Sequence, residues 1–287
     1  MSTYLNENQL KRKNLDEVSF IRPVLIILLV MYHAFAPWCD SWRAFDGFKD
    51  VELYWWIGKL SYSFMLPTFV FISGYVWAFQ REELNKKDSL TDLAKKKFKR
   101  LFIPSIVFGL LYLPLLPGFP FGGGSNLVYT SFLKVIQGTA HMWFLPMLFW
   151  CFLICYGILE IANKKVRMCI IALCVALSII PLPFQFGSSL YYILYFYFGY
   201  EMWCRNSQEP INSDKKRILL AWGLFFVCFF ILTAIVRCYF ETGTNSALVK
   251  IISFYMYRIC AIVYSISGLY AIYIVSPQNS FNKLKIT

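Results

Sequence analysis

Histidine and charge are both in short supply in this sequence. His33 and His141 are the only two histidines among 287 residues, too few to build a histidine-rich metal cluster. Charged residues make up 15% of the chain, against roughly 25% in an average soluble domain. That leaves little polar surface for a separate soluble domain. The nine cysteines contain no Cys-x-x-Cys pair. Most fall within apolar runs, where a free thiol behaves as a small apolar side chain, so neither a metal site nor a disulfide framework is expected. Internal repeats and low-complexity tracts are also missing, which excludes a solenoid or a linker-joined array.

What fills the chain instead is hydrophobic sequence, 58% of all residues with 20% aromatic. These residues are bunched in long runs rather than spread at amphipathic spacing. A bilayer core needs about 20 apolar residues per helix. Eight runs approach that length, at 18–36, 57–79, 101–117, 142–161, 168–183, 188–203, 218–236 and 251–275. The expected fold is an all-α, polytopic membrane bundle of about eight spans. A tail precedes it at 1–17, one membrane domain occupies 18–275, and a short tail closes it at 276–287. The pair 168–183 and 188–203, joined by PLPFQFG, reads either as two short spans or as a re-entrant hairpin.

The net charge of +12 would suit a nucleic-acid partner if it formed one patch, but it alternates between loops. Twenty Lys and Arg fall in the two tails and the even-numbered loops, against six in the odd-numbered ones. This positive-inside bias puts both termini in the cytoplasm and makes the lipid bilayer, not nucleic acid, the partner.

The first run, RPVLIILLVMYH, places Arg22 and His33 eleven residues apart. At 3.6 residues per turn they share one helical face, roughly 16 Å apart along the axis. Ionisable groups inside a membrane are functional candidates, because burying them is costly unless they are paired or wetted. Two plainer roles stand beside that: Arg22 reaching the headgroups, and His33 making an interhelical hydrogen bond. His141 and Trp143, in TAHMWFLPMLFW, begin the fourth span in the same outer leaflet as His33. There they suit either an acceptor-side role or an aromatic belt. On the cytoplasmic side KKKFKRLFIP (95–104) runs straight into the third span. Its Lys96, Lys97, Lys99 and Arg100 fit a topology determinant, an anionic-lipid contact or a polyphosphate site.

Together these pieces resemble the membrane-bound acyltransferase-3 family. Arg22 and His33 match its arginine–ten residues–histidine motif. MLPTFVFISGYVW is similar to its second-span segment through Ser73 and Gly74. KKKFKRLFIP resembles its basic motif, with Lys97 where the family carries arginine and Arg100 retained. HMWFLPMLF is similar to its Trp-Phe-Leu segment. The resemblance is closest over residues 15–160, and the family's closing pair of spans is expected to be missing here.

The resemblance implies a multi-pass inner (plasma) membrane enzyme that moves an acyl group, expected to be acetyl, from cytoplasmic acyl-CoA to a hydroxyl of an envelope saccharide. His33 would be the general base. Arg22, Lys96, Lys97, Lys99 and Arg100 would hold acyl-CoA, a co-substrate used without a metal. Ser73 and Gly74 would line a channel or permit close packing, and His141 and Trp143 would face the acceptor. The competing readings are a transporter or flippase of a lipid or glycan intermediate, using Arg22, His33 and Arg258, and a non-catalytic remnant.

Overall fold

The computed structural model describes residues 15–39, 49–112, 135–138, 140–206, 214–241 and 247–276. Among these residues every regular element is helical. The longer ones are α1 (Asp16–Phe35), α2 (Glu52–Ala78), α3 (Leu90–Lys97), α4 (Ile103–Tyr112), α5 (Phe144–Leu159), α6 (Lys164–Leu177), α7 (Phe186–Asn206), α8 (Lys215–Glu241) and α9 (Ala247–Val275). Short 3-10 turns occupy Ala36–Cys39 and Ala140–Trp143, and single π-turns occupy Phe79–Glu83 and Phe98–Phe102.

Each expected span overlaps one helix, the third only as far as Tyr112, since residues 113–117 lie outside the described residues. Four segments are long and apolar enough to cross a membrane: Asp16–Cys39, Glu52–Glu83, Lys215–Ile235 and Phe254–Val275; Phe144–Leu159 is a shorter apolar helix. The doubtful pair separates in the structure. At 1.5 Å per residue α6, with 14 residues, is about 21 Å long, while α7, with 21, reaches about 31 Å. The sequence made α7 too short because its tyrosines and Glu201 dilute the apolar pattern.

The chain divides into two compact units, Met1–Ile72 with Arg205–Thr287, and Ser73–Cys204. In the first, α8 packs along α9, and α1 also lies against α9. α1 buries Val18, Ile21 and Leu25 on one stripe and leaves Ile26, Ile27 and Val30 exposed. α8 likewise exposes Leu219, Leu220, Leu224 and Val227. Such faces suit hydrocarbon rather than water. Gly268 of α9 lets aromatic rings close in, since a Cβ there would meet Phe64 Cγ at 2.8 Å and Phe225 Cδ2 at 2.9 Å.

Pro67 interrupts α2 and has no N–H to give to the carbonyl of Ser63 one turn back. That carbonyl accepts instead from the Ser265 hydroxyl of α9, at 2.6 Å in a buried setting. A membrane helix tolerates proline when a neighbour satisfies the freed group, and Ser265 does so here. At the end of α2 facing α8, both Arg237 terminal nitrogens donate to the Glu52 carboxylate, and the guanidinium lies 4.7 Å from the Trp55 ring centre.

In the second unit the end of α2 runs against α7. A Cβ on Gly74 would lie 2.0 Å from the carbonyl oxygen of Phe196, so only glycine permits this approach. Trp77 packs on Phe152, Phe196 and Tyr200, and Tyr75 and Phe79 both meet Trp203. Helix starts are capped as their sequences dictate. Ser89 accepts from the Asp92 N–H at the start of α3, and Asn163 accepts from the Lys165 N–H at the start of α6.

Candidate functional site

Arg22 and His33 both lie on α1, which is helical from Asp16 to Phe35, so the shared face read from their spacing holds. Arg22 is exposed and His33 is half-buried. The His33 Nδ1–H donates to the carbonyl of Leu29 at 2.8 Å. A carbonyl can only accept, so Nδ1 carries the hydrogen and, in the neutral ring, Nε2 carries the lone pair. The Tyr32 ring packs edge-on against the imidazole at 5.3 Å, and Tyr62 lies 4.3 Å from Tyr32. The group that orients the imidazole is thus a backbone carbonyl one turn back. No carboxylate is legible for that role in the sequence, and Asp40 and Asp46 lie outside the described residues.

Cys39 follows on the 3-10 turn as a buried thiol, its Sγ 3.5 Å from the Trp55 carbonyl. Gly58 makes room for it, because a Cβ there would lie 2.1 Å from that sulfur. Its burial against backbone makes it a packing residue.

The basic run is split between α3 and the π-turn that follows. Lys96 pairs with Asp88, while Lys99 and Arg100 are exposed. Lys97 behaves differently. Its Nζ lies 3.6 Å from the centre of the Phe152 ring on α5. Burial, with Arg100 and Lys96 nearby, pushes its pKa down to about 8. A lysine on an aromatic face keeps favourable electrostatics there while losing water.

Ser73 and Gly74 sit where α2 passes α7, and the Gly74–Phe196 approach makes close packing the geometric consequence of this pair. The His141 backbone belongs to the 3-10 turn Ala140–Trp143, and its side chain lies outside the described residues. The Trp143 ring lies 5.9 Å from Tyr192 of α7. Gly138 reaches φ +89°, and a Cβ there would meet Trp143 Cα at 2.6 Å, so glycine sets this turn.

A polar network not legible in the sequence joins the basic end of the second unit. Arg81 pairs loosely with Glu82 and Glu160, at 3.5 and 3.6 Å. Tyr200 donates to Glu82. Glu201 accepts from Lys164 and from the Tyr197 hydroxyl. Arg167 donates to the carbonyls of Ile161 and Leu159, satisfying the end of α5. In the sequence Arg81 and Lys164 stand only among the twenty basic residues of the tails and even-numbered loops. Glu160 and Glu201 lie too far from Arg81 and Lys164 in sequence to suggest pairing, and the adjacent Glu82 meets Arg81 only loosely. Among the described residues, no three His, Cys, Asp or Glu side chains cluster closely enough to hold a metal ion.

The chain matches the family model described as an acyltransferase domain over residues 15–286. No curated protein and no solved structure matches it. The match runs through α1 with Arg22 and His33, through the Ser73–Gly74 packing site and on through α9. This apolar membrane chain, helical in every regular element among its described residues, belongs to the acyltransferase-3 family.

Proposed function

We propose that the protein is a multi-pass O-acyltransferase of the plasma membrane, with about eight spans and both termini in the cytoplasm. It transfers an acyl group, acetyl as the first expectation, from acyl-CoA to a hydroxyl of an envelope saccharide. The observation that carries the reading is an oriented imidazole on α1 in a chain matched to an acyltransferase family over nearly its whole length.

His33 is the general base. With Nδ1–H held by Leu29, the Nε2 lone pair takes the proton of the acceptor hydroxyl as its oxygen attacks the thioester carbonyl. The new C–O bond forms, the C–S bond breaks, and the departing thiolate recovers the proton from the imidazolium. Lys96, Lys97, Lys99 and Arg100 hold the charged end of acyl-CoA. Arg22 lines the donor's way into the membrane, and Trp143 and His141 belong to the acceptor side. Ser73 and Gly74 serve packing rather than chemistry. Family membership favours this reading over a transporter, since acyl transfer is what the family model describes.

The test uses membranes containing the protein, labelled acetyl-CoA and a saccharide acceptor. Base catalysis is worth roughly 10²–10⁴-fold, so His33→Ala should lower transfer by that order at unchanged protein level. Normal transfer by His33→Ala would remove the histidine from the mechanism.

A further inference from the structure

Two arginines in the second unit differ in how they are used. Arg167 is engaged, with Nε and Nη2 both donating to the carbonyls that end α5. Arg81 is not. Its contacts at 3.5 and 3.6 Å are longer than good hydrogen bonds. The Glu82 oxygen nearest it already accepts from Tyr200. The Glu160 carboxylate is 61% exposed, and exposed ion pairs contribute little. Its Nη1 is buried with no hydrogen-bond partner, a costly arrangement for a charged donor. A guanidinium serving only as a staple would be paired as Arg167 is.

The surroundings of Arg81 suit a ligand better. Its guanidinium lies 5.7 Å from the Trp77 ring centre and 5.3 Å from that of Tyr156. Cation–ring contacts of this kind leave guanidinium donors available to meet an anion. Tyr156 stands four residues after Phe152 on α5, one turn and about 6 Å along the axis. Phe152 carries Lys97, and Trp77 touches the Phe152 ring edge-on at 5.7 Å. Arg81 and Lys97 are therefore linked through one connected aromatic platform, in which Phe152 and Tyr156 stand a helical turn apart on α5. One offers a fork of donors and the other a point charge, a complementary pair for phosphate oxygens.

We propose that Arg81 is a ligand-contacting residue that shares with Lys97 a seat for one phosphate-class group. In the acyltransferase reading, on which the occupant's identity rests, that group belongs to the nucleotide end of the acyl donor. Binding exchanges the loose Glu160 contact and the orphaned Nη1 for a bidentate bond. The Arg81 side chain keeps 19% exposure, so its fork turns outward as Glu160 gives way.

The experiment measures binding of coenzyme A and of inorganic pyrophosphate to the purified full chain in lipid nanodiscs. It compares wild type with Arg81→Lys, Arg81→Gln and Glu160→Gln. Arg81→Lys keeps the charge without the fork and should weaken both probes about tenfold with little change in unfolding midpoint. Arg81→Gln should weaken them further, and Glu160→Gln should tighten them severalfold, giving a readout even if Arg81→Gln does not fold. Equal affinity across these variants, or binding of neither probe to wild type, overturns the seat. Arg81-dependent binding of pyrophosphate without coenzyme A supports the seat and removes the acyl-CoA reading. Repeating the series in discs of neutral and of anionic lipid separates the sources. Loss of probe binding only in the anionic discs identifies a lipid headgroup as the occupant and overturns the soluble donor.

Discussion

Lys97 holds its charge against a ring instead of in open water, and two opposite pH effects follow. Its pKa is pushed down to about 8 from 10.5, first by burial and then by Arg100 and Lys96. A folded-state pKa below the unfolded one means folding disfavours the proton, so without ligand this group destabilises the protein at neutral pH. That penalty is relieved as pH rises from about 8 towards 10.5, and stability from this group rises over that window. Binding of a polyphosphate donor has the opposite sign, because the anion favours the ammonium. Donor affinity measured between pH 7 and pH 9 should fall as pH passes about 8. Lys97→Arg, which cannot titrate in this range, should flatten that profile. An identical pH profile in Lys97→Arg would remove Lys97 from the donor site. His33 shows the other residue-scale lesson. Its place on the Arg22 face follows from counting residues, whereas its tautomer depends on the Leu29 carbonyl that only the folded helix presents.

Among the elements, α2 shows how a sequence irregularity becomes a tertiary contact. Pro67 marks a broken hydrogen-bond ladder in any reading of the chain, but the group that repairs it lies 202 residues away. Ser265→Ala should leave the Ser63 carbonyl unsatisfied and cost about 1–3 kcal/mol, seen as a lower unfolding midpoint in detergent. Ser265→Thr, which keeps the hydroxyl, should recover most of it; an unchanged midpoint in Ser265→Ala would show that the carbonyl finds another partner. Gly74 carries a similar lesson. Its motif position was legible, yet the reason for glycine is the Phe196 backbone pressed against it. The extent of α7 was harder to read. Hydropathy averages over a helix, whereas Tyr197 and Tyr200 turn their hydroxyls to carboxylates at one end and bury their rings.

For the whole molecule, the alternation of basic loops predicts sidedness. A membrane-impermeant thiol reagent applied to intact cells should label Asp50→Cys above the native-cysteine background and leave Lys86→Cys unlabelled until the membrane is permeabilised. The reverse pattern would invert the topology and with it the donor side. Sequence alone determined that the chain is apolar and helical, where its apolar helices fall, and that Arg22 and His33 share a face. Those features are local, set by runs of apolar residues and by the 3.6-residue turn. Tertiary structure alone decided which lysine loses its water on Phe152, which hydroxyl meets the Ser63 carbonyl, and that Arg81 retains an unspent donor beside Trp77 and Tyr156. Each of these depends on the direction and surroundings of a side chain, which only packing fixes.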